Sequence, residues 1–181
     1  MSQFYFSHID VNIYDQIISE LRPYIKKFVI GFAGGYYKAN HDELLDSCPA
    51  IKNWFDIKKL TIRSVGIIVT PANTIQDRHI DYIGQSNSPL ALNFNIENCV
   101  VPRTKMYTCD IQPILSTAQS GVNYWSCDPA ANYMQVAEFD LTTPVLFNTQ
   151  LPHQVCNHTD ETRISVSFRF NEDSDHLINN L

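Results

Sequence analysis

From Leu60 onward, apolar residues recur at every second position. Leu90, Leu92, Phe94 and Ile96 oppose Ala91, Asn93 and Asn95, while Ile164, Val166, Phe168 and Phe170 oppose Arg163, Ser165, Ser167 and Arg169. That period belongs to a strand with one face buried. Such segments, parted by clusters of Pro, Gly, Asn and Asp, predict strands over 60–70, 90–96, 105–109, 135–140, 144–147, 153–156 and 162–170. Before Leu60 the period is helical: Tyr14, Ile17, Ile18, Leu21, Ile25 and Phe28 share one stripe, which Pro23 is expected to end or kink near Leu21. Asn40 and Glu43 read as a cap and its reciprocal acid. They open a second helical stretch with Leu44, Leu45 and, past Pro49, Ile51, Trp54 and Phe55. Gly31 to Tyr37, in between, reads as a glycine-aromatic loop without a phosphate-binding pattern.

Helices first and many short strands after predict an α+β fold. The expected architecture is a double-stranded β-helix, that is, a jelly-roll, cupin-like barrel with the N-terminal helices packed on one sheet. One domain is expected over 1–181, with helical support over 1–58, the barrel over 60–170 and a C-terminal tail over 171–181.

Composition narrows the function classes. Hydrophobic residues make up 44% and charged residues 18% of the 181, the mixture of a globular chain. A net charge of −6 argues against a nucleic-acid partner, which needs a basic surface, although a local basic groove is compatible with it. The five cysteines are scattered without a C-x-x-C pair, as suits reduced thiols. With no basic start followed by an apolar run, and no apolar stretch near the ~20 residues a membrane span needs, a cytoplasmic protein without a membrane partner is expected. Asn157-His158-Thr159 matches a glycosylation triplet and reads instead as a turn.

Four H-x-[D/E] pairs occur: His8/Asp10, His41/Glu43, His79/Asp81 and His158/Asp160. Asp10 is expected to cap the first helix, His41 and Glu43 to lie in a first helical turn, and His158 and Asp160 in a turn between strands. His79/Asp81 differs in context, because it follows a long apolar strand and a Pro-Ala-Asn turn. Two residues apart on an extended chain, both side chains project from one face. A third ligand must then come from a distant strand, and His153, at the head of one, can supply it. Two imidazoles and one carboxylate on one side of a metal leave the opposite positions open, as in non-haem Fe(II) oxygenases. The competing reading of His153 is a hydrogen-bonded histidine at a barrel rim. Arg163 follows His153 by ten positions and shares a strand face with Ser165. An arginine among alternating polar residues is usually a solvated strand face; beside a metal it can hold a dicarboxylate through a bidentate pair.

These elements resemble the Fe(II)/2-oxoglutarate-dependent oxygenase superfamily: His79-Ile80-Asp81, then His153, then Arg163-Ile164-Ser165. The segment Leu146 to Asn157, with Val155 and Asn157, is similar to the distal-histidine strand of the aspartyl/asparaginyl β-hydroxylase branch. Asp81 departs from that branch, which lacks the carboxylate ligand, and resembles instead the prolyl-hydroxylase-like enzymes; it also weighs against halogenating members. The resemblance covers roughly 60–170. It implies a dioxygenase, most simply a hydroxylase, with iron on His79, Asp81 and His153. It further implies 2-oxoglutarate chelating that iron while Arg163 and Ser165 take its far carboxylate, and dioxygen oxidising an unidentified substrate, a small molecule or a protein side chain. Nickel or zinc can replace iron in such a site. Asn93 and Tyr107 are candidates to touch 2-oxoglutarate, with a structural hydrogen bond the equal alternative for each. Tyr124 and Trp125 are candidates for substrate contact, within an irregular segment from Asp110 to Tyr133 expected to act as a lid or binding loop.

Two other functions fit the same barrel. A cupin-like metalloprotein acting without 2-oxoglutarate has no need of Arg163-x-Ser165, and a non-catalytic binding barrel predicts no tight metal.

Overall fold

The helical period and the strand period meet across a single layer boundary. In the computed structural model, which describes residues 4–31, 33–82, 88–110, 112–118 and 121–181, the chain opens with β1 (Phe6–His8), α1 (Tyr14–Val29), β2 (Gly35–Ala39), α2 (His41–Ser47) and α3 (Pro49–Ile57). Next come β3 (Ile62–Thr70), β4 (Thr74–Ile75), β5 (His79–Asp81), β6 (Leu90–Glu97), β7 (Arg103–Cys109), β8 (Ile114–Thr117) and β9 (Asn123–Ser126). β10 (Tyr133–Phe139), β11 (Val145–Asn148), β12 (His153–Asn157), β13 (Arg163–Phe170) and α4 (Ser174–Asn180) complete it.

The strands pair antiparallel in two sheets. One has the order β1-β11-β6-β13-β3-β2; the other is β10-β7-β12-β5-β9-β8, with β4 also on β12. No ladder joins the sheets among the described residues. The expected barrel is thus an open jelly roll of two facing sheets, because strand pairing closes neither edge.

The first sheet turns Ile164, Val166 and Phe168 of β13, Val65, Ile67 and Val69 of β3, and Leu92, Phe94 and Ile96 of β6 toward the helices. There they form one cluster with Ile17, Leu21 and Ile25 of α1 and Ile51, Trp54 and Phe55 of α3. Each such buried side chain contributes ~1.5–3 kcal/mol. That packing explains why α1 continues to Val29 with Pro23 inside it: Leu21, Tyr24 and Ile25 are buried on either side of the proline. A lost helical hydrogen bond and a ring clash, ~3 kcal/mol, are outweighed by contacts on both turns.

Other expectations are corrected locally. Part of the glycine-aromatic loop is the edge strand β2, entered through Gly34 and Gly35 at φ 139° and 112°. A side chain at Gly34 would also collide with Pro71. Asn40 does cap α2, accepting from the Asp42 amide at 3.1 Å. Asp10 caps nothing, since α1 starts after Ile13 without a side-chain cap. The closing tail carries α4, capped by Asp173. No described helix is long and apolar enough to cross a membrane.

Candidate metal centre

Opposite the helices, the first sheet presents the polar half of its alternation. Arg163, Ser167 and Arg169 of β13 and Asn93 of β6 face a cavity of about 490 Å³ between the sheets, which β5 and β12 bound from the other side. A second apolar cluster, including Met106, Phe139, Val145 and Phe147, fills the neighbouring space.

β5 lies between β9 and β12, and His79 pairs directly with His153 across the β5–β12 ladder. His79 and Asp81, two residues apart, therefore share the cavity face with His153. Their ligating atoms lie within 4.8 Å of one another. Asp81 Oδ1 is 3.6 Å from His79 Nε2 and 3.8 Å from His153 Nε2. Each imidazole is oriented from behind: His79 Nδ1 is 2.9 Å from the Asp77 carbonyl and His153 Nδ1 2.9 Å from the Leu151 carbonyl. A carbonyl only accepts, so both Nδ1 atoms carry a proton, and both Nε2 atoms point inward. Burial, reinforced by His79, pushes His153 down to about 4 although Asp81 pulls the other way. His153 is thus neutral near pH 7, and its approach to Asp81 is not an ion pair. Two imidazole Nε2 atoms and a carboxylate oxygen converge, a donor set that fits a divalent cation.

Asp81 is the most heavily supported of the three. Arg169 Nη2 donates to its Oδ2, leaving Oδ1 toward the histidines, while Arg169 Nη1 donates to Thr149 Oγ1 at 2.7 Å. The Asp81 amide donates to the Thr149 carbonyl, and the Gln150 side chain donates to the Asp81 carbonyl at 2.7 Å. Burial works to raise the Asp81 pKa; His153, Arg169 and His79 outweigh it and hold the carboxyl below its ordinary value. Arg169 was not recognised as a site residue from sequence, although its place on the Arg163 face was the available signal.

Arg163 is 2% exposed. It sits opposite Thr70 at one end of β13, and its Nε and Nη1 have no partner. Ser165 is fully buried on the same strand face and its hydroxyl is likewise unpartnered. Asn93, also buried, lines the cavity with an unpartnered Oδ1. A buried donor or acceptor without a partner costs ~1–3 kcal/mol, more for a charged group. Arg163, Ser165 and Asn93 thus all carry buried polar atoms without partners, and Arg163 and Asn93 line the same cavity as His79, Asp81 and His153.

Two candidates fall elsewhere. Met106 pairs with His153, which turns the next residue, Tyr107, to the opposite face of β7. There the Arg78 guanidinium lies 4.8 Å from its ring, on the far side from the cavity. In the hairpin β8–β9, Tyr124 pairs with Asp81, lines the cavity and meets the His79 ring edge-on at 6.2 Å. Trp125 pairs with Ile80 instead and does not line the cavity, although its ring lies 6.2 Å from that of Tyr82, which does. The segment 110–133 thus holds a hairpin rather than irregular chain; positions 111, 119 and 120 lie outside the described residues.

The remaining H-x-[D/E] pairs form no such cluster among the described residues. Asn157, read as a turn residue, is fully buried and donates to the carbonyls of Thr70, Pro71 and Glu161. It ties the β12–β13 turn to the end of β3.

No protein-family model matches the chain, and no curated protein does. Solved structures match in fold. The epimerase SnoN, in complex with Fe3+, alpha ketoglutarate and nogalamycin RO, aligns at TM-score 0.61 and 13% identity, covering 94% of this chain and 80% of that one. A prolyl hydroxylase from Trichoplax adhaerens, in complex with a hypoxia inducible factor oxygen degradation domain peptide fragment, aligns at 0.54 and 11%, covering 97% and 87%. The non-heme alpha ketoglutarate dependent carbocyclase SnoK aligns at 0.53 and 12%, covering 98% and 87%. At such identities the likeness is one of architecture: the chain has the jelly-roll fold that these oxygenases share.

Proposed function

We propose that this protein is an Fe(II)- and 2-oxoglutarate-dependent oxygenase, acting as a hydroxylase. The observation that carries this reading is the buried Arg163 guanidinium, unpartnered at Nε and Nη1, in the same cavity as the converging His79, Asp81 and His153. In this reading the three donors hold the iron. Arg163 would take the far carboxylate of 2-oxoglutarate, with the Ser165 hydroxyl beside it and Asn93 near the carbon chain. Bound iron and cosubstrate supply the oxidising chemistry, which couples decarboxylation of 2-oxoglutarate to oxidation of a substrate by dioxygen.

The chain's own part is position, charge balance and dryness. Arg169 keeps Asp81 ionised and aimed. Leu151 and Asp77 carbonyls hold each imidazole in the tautomer that leaves Nε2 free. Phe147, whose ring edge meets His153 at 5.4 Å, walls the site with apolar surface and excludes water. A cupin-like enzyme without a dicarboxylate would leave Arg163 buried and unsatisfied, a cost with no return.

The test is succinate release from 2-oxoglutarate by Fe(II)-loaded protein under air, with a panel of substrates. Release that needs Fe(II) and is abolished in His79→Ala, Asp81→Ala and His153→Ala is expected. No release above the metal-free background with any substrate, or equal release from all three variants, would refute the reading.

A further inference from the structure

Two adjacent tyrosines on the edge strand β2 serve opposite sides of the first sheet. Tyr37 packs on the helix side, its ring 5.4 Å from that of Phe28. Tyr36 pairs with Ile68, whose own partner on β13 is Ser165, so it belongs to the cavity face. A missing side chain then lets its ring lean inward. A Cβ on Gly66 would lie 2.1 Å from Tyr36 Cε2 and 2.7 Å from the Tyr36 hydroxyl oxygen, so the ring takes that space and lines the cavity. Burial raises the pKa of this phenol, and the charges of Arg169 and Asp81 also act on it, as expected of a ring beside the ligand set.

The second sheet answers with two more tyrosines. Tyr124 of β9 pairs with Asp81 and meets the His79 ring edge-on at 6.2 Å. Tyr82 follows Asp81 in the chain, lines the same cavity and is 47% exposed. The lining thus has two parts of different character. Arg163, Asn93, His153 and Thr104 are each 5% exposed or less and make its deep, polar part. The three tyrosines, with half-buried Ile68 and Val122, make its more open part. Arg163 belongs to the deep part, and Arg169 is paired with Asp81. The remaining charged lining residues, Arg63 and Asp77, cancel formally. The open part therefore presents π faces and apolar surface without a net charge. An aliphatic ligand would gain there by burial alone, whereas a flat ring gains in addition from offset or edge-on contact with each tyrosine.

We propose that the substrate of this site presents an uncharged aromatic ring, held between Tyr36 of one sheet and Tyr124 of the other. The inference rests on the oxygenase reading above, because that reading fills the deep part of the cavity with metal and cosubstrate and leaves the tyrosine-lined part to the substrate. A free molecule and an aromatic side chain of a peptide carry the same chemistry, and the experiment separates them.

The experiment is calorimetric titration of Mn(II)-loaded protein, first with the 2-oxoglutarate mimic N-oxalylglycine and then with two probes. These are 2-naphthol and decahydro-2-naphthol, which share a skeleton and a hydroxyl and differ in flatness and π electrons. The aromatic probe should bind about fivefold or more tightly, the ratio expected of one or two ring pairs. Tyr36→Leu and Tyr124→Leu should each erase most of that preference, whereas Tyr36→Phe, which keeps the ring, should retain it. Mn(II), but not Zn(II), should broaden the proton resonances of bound 2-naphthol, as a ring beside the metal requires. A blocked tryptophan tripeptide titrated alongside assigns the source: tighter binding than 2-naphthol indicates a protein side chain, weaker binding a free molecule. Failure of N-oxalylglycine to bind would count against the oxygenase reading alone, since the two probes can still be compared in the Mn(II) form. The comparison of probes is made on the wild type, so a leucine variant that does not fold leaves it decisive. Absent binding of 2-naphthol, equal affinity for the two probes, equal line widths with either metal, or a preference unchanged in both leucine variants overturns the proposal.

Discussion

Asp81 is held by two different kinds of neighbour, and the division of its oxygens has a consequence. Oδ1 faces the two imidazoles, whereas Oδ2 accepts from Arg169. Removing the guanidinium leaves the carboxylate free to rotate and without its balancing charge, while no ligand is lost. Arg169→Ala should therefore weaken Mn(II) or Fe(II) binding by ~10–100-fold, the usual range for a group that orients a ligand. Arg169→Lys should recover part of the affinity, which a merely structural role for the fork would not predict. Equal metal affinity in Arg169→Ala and wild type would remove Arg169 from the site.

His153 gives the residue scale a pH signature. Its folded pKa, about 4, lies below the ordinary 6.5. Between these values the unfolded chain binds a proton that the folded chain does not, so falling pH favours unfolding. The metal-free protein should lose stability, by on the order of a few kcal/mol, as pH drops from about 6.5 toward 4, and lose nothing from this source above pH 7. Asp81, held below its ordinary 3.8, adds a loss of the same sign only at lower pH. Urea unfolding of chelator-treated protein across this range should show a steeper pH dependence for wild type than for His153→Asn. Identical slopes would mean that His153 is not buried as a neutral imidazole.

At the scale of elements, Gly66 governs how β2 and β3 meet. Its missing Cβ is the space in which Tyr36 lies. Gly66→Ala forces the ring aside and should destabilise the protein by ~1–3 kcal/mol, the usual cost of overpacking. Adding Tyr36→Ala should cancel most of that loss, because the clash needs both groups. Denaturation of the two single variants and the double variant measures the coupling; additive losses would place the ring elsewhere.

The same elements show what could be read in advance. β13 and β6 were legible because one face is wholly apolar and the other wholly polar, and a period of two has only one such solution. His79 and Asp81 were legible because two residues apart on a strand means one face, whatever the strand pairs with. Tyr107 and Trp125 were not, since their faces depend on the pairings Met106 with His153 and Trp125 with Ile80, which no local pattern encodes. Arg63, which lines the cavity, was hidden by a bulge, a register event between two strands: Ser64 pairs with Arg169 but Ile62 with Phe170. Tyr36 was hidden in glycines whose positive φ values announce a turn more loudly than the strand that follows. Arg169 lay on a face already identified, but nothing local pairs it with an acid 88 positions away.

For the whole molecule, the two sheets divide the work. The sheet under the helices supplies arginines, serines and an asparagine from its polar face, and the opposing sheet supplies His79, Asp81, His153 and Tyr124. In the proposed reading substrate, metal and cosubstrate would all meet in the space between them, so binding one ligand should depend on another. The most direct measurement is calorimetric titration of 2-oxoglutarate into the protein with and without Mn(II), for wild type and Arg163→Ala. The expected result is binding that requires Mn(II) and is weakened by one to two orders of magnitude in Arg163→Ala, about what a lost charged hydrogen-bonding partner implies, with Mn(II) affinity unchanged. No 2-oxoglutarate binding to the Mn(II)-loaded wild type, or equal binding by Arg163→Ala, would contradict it.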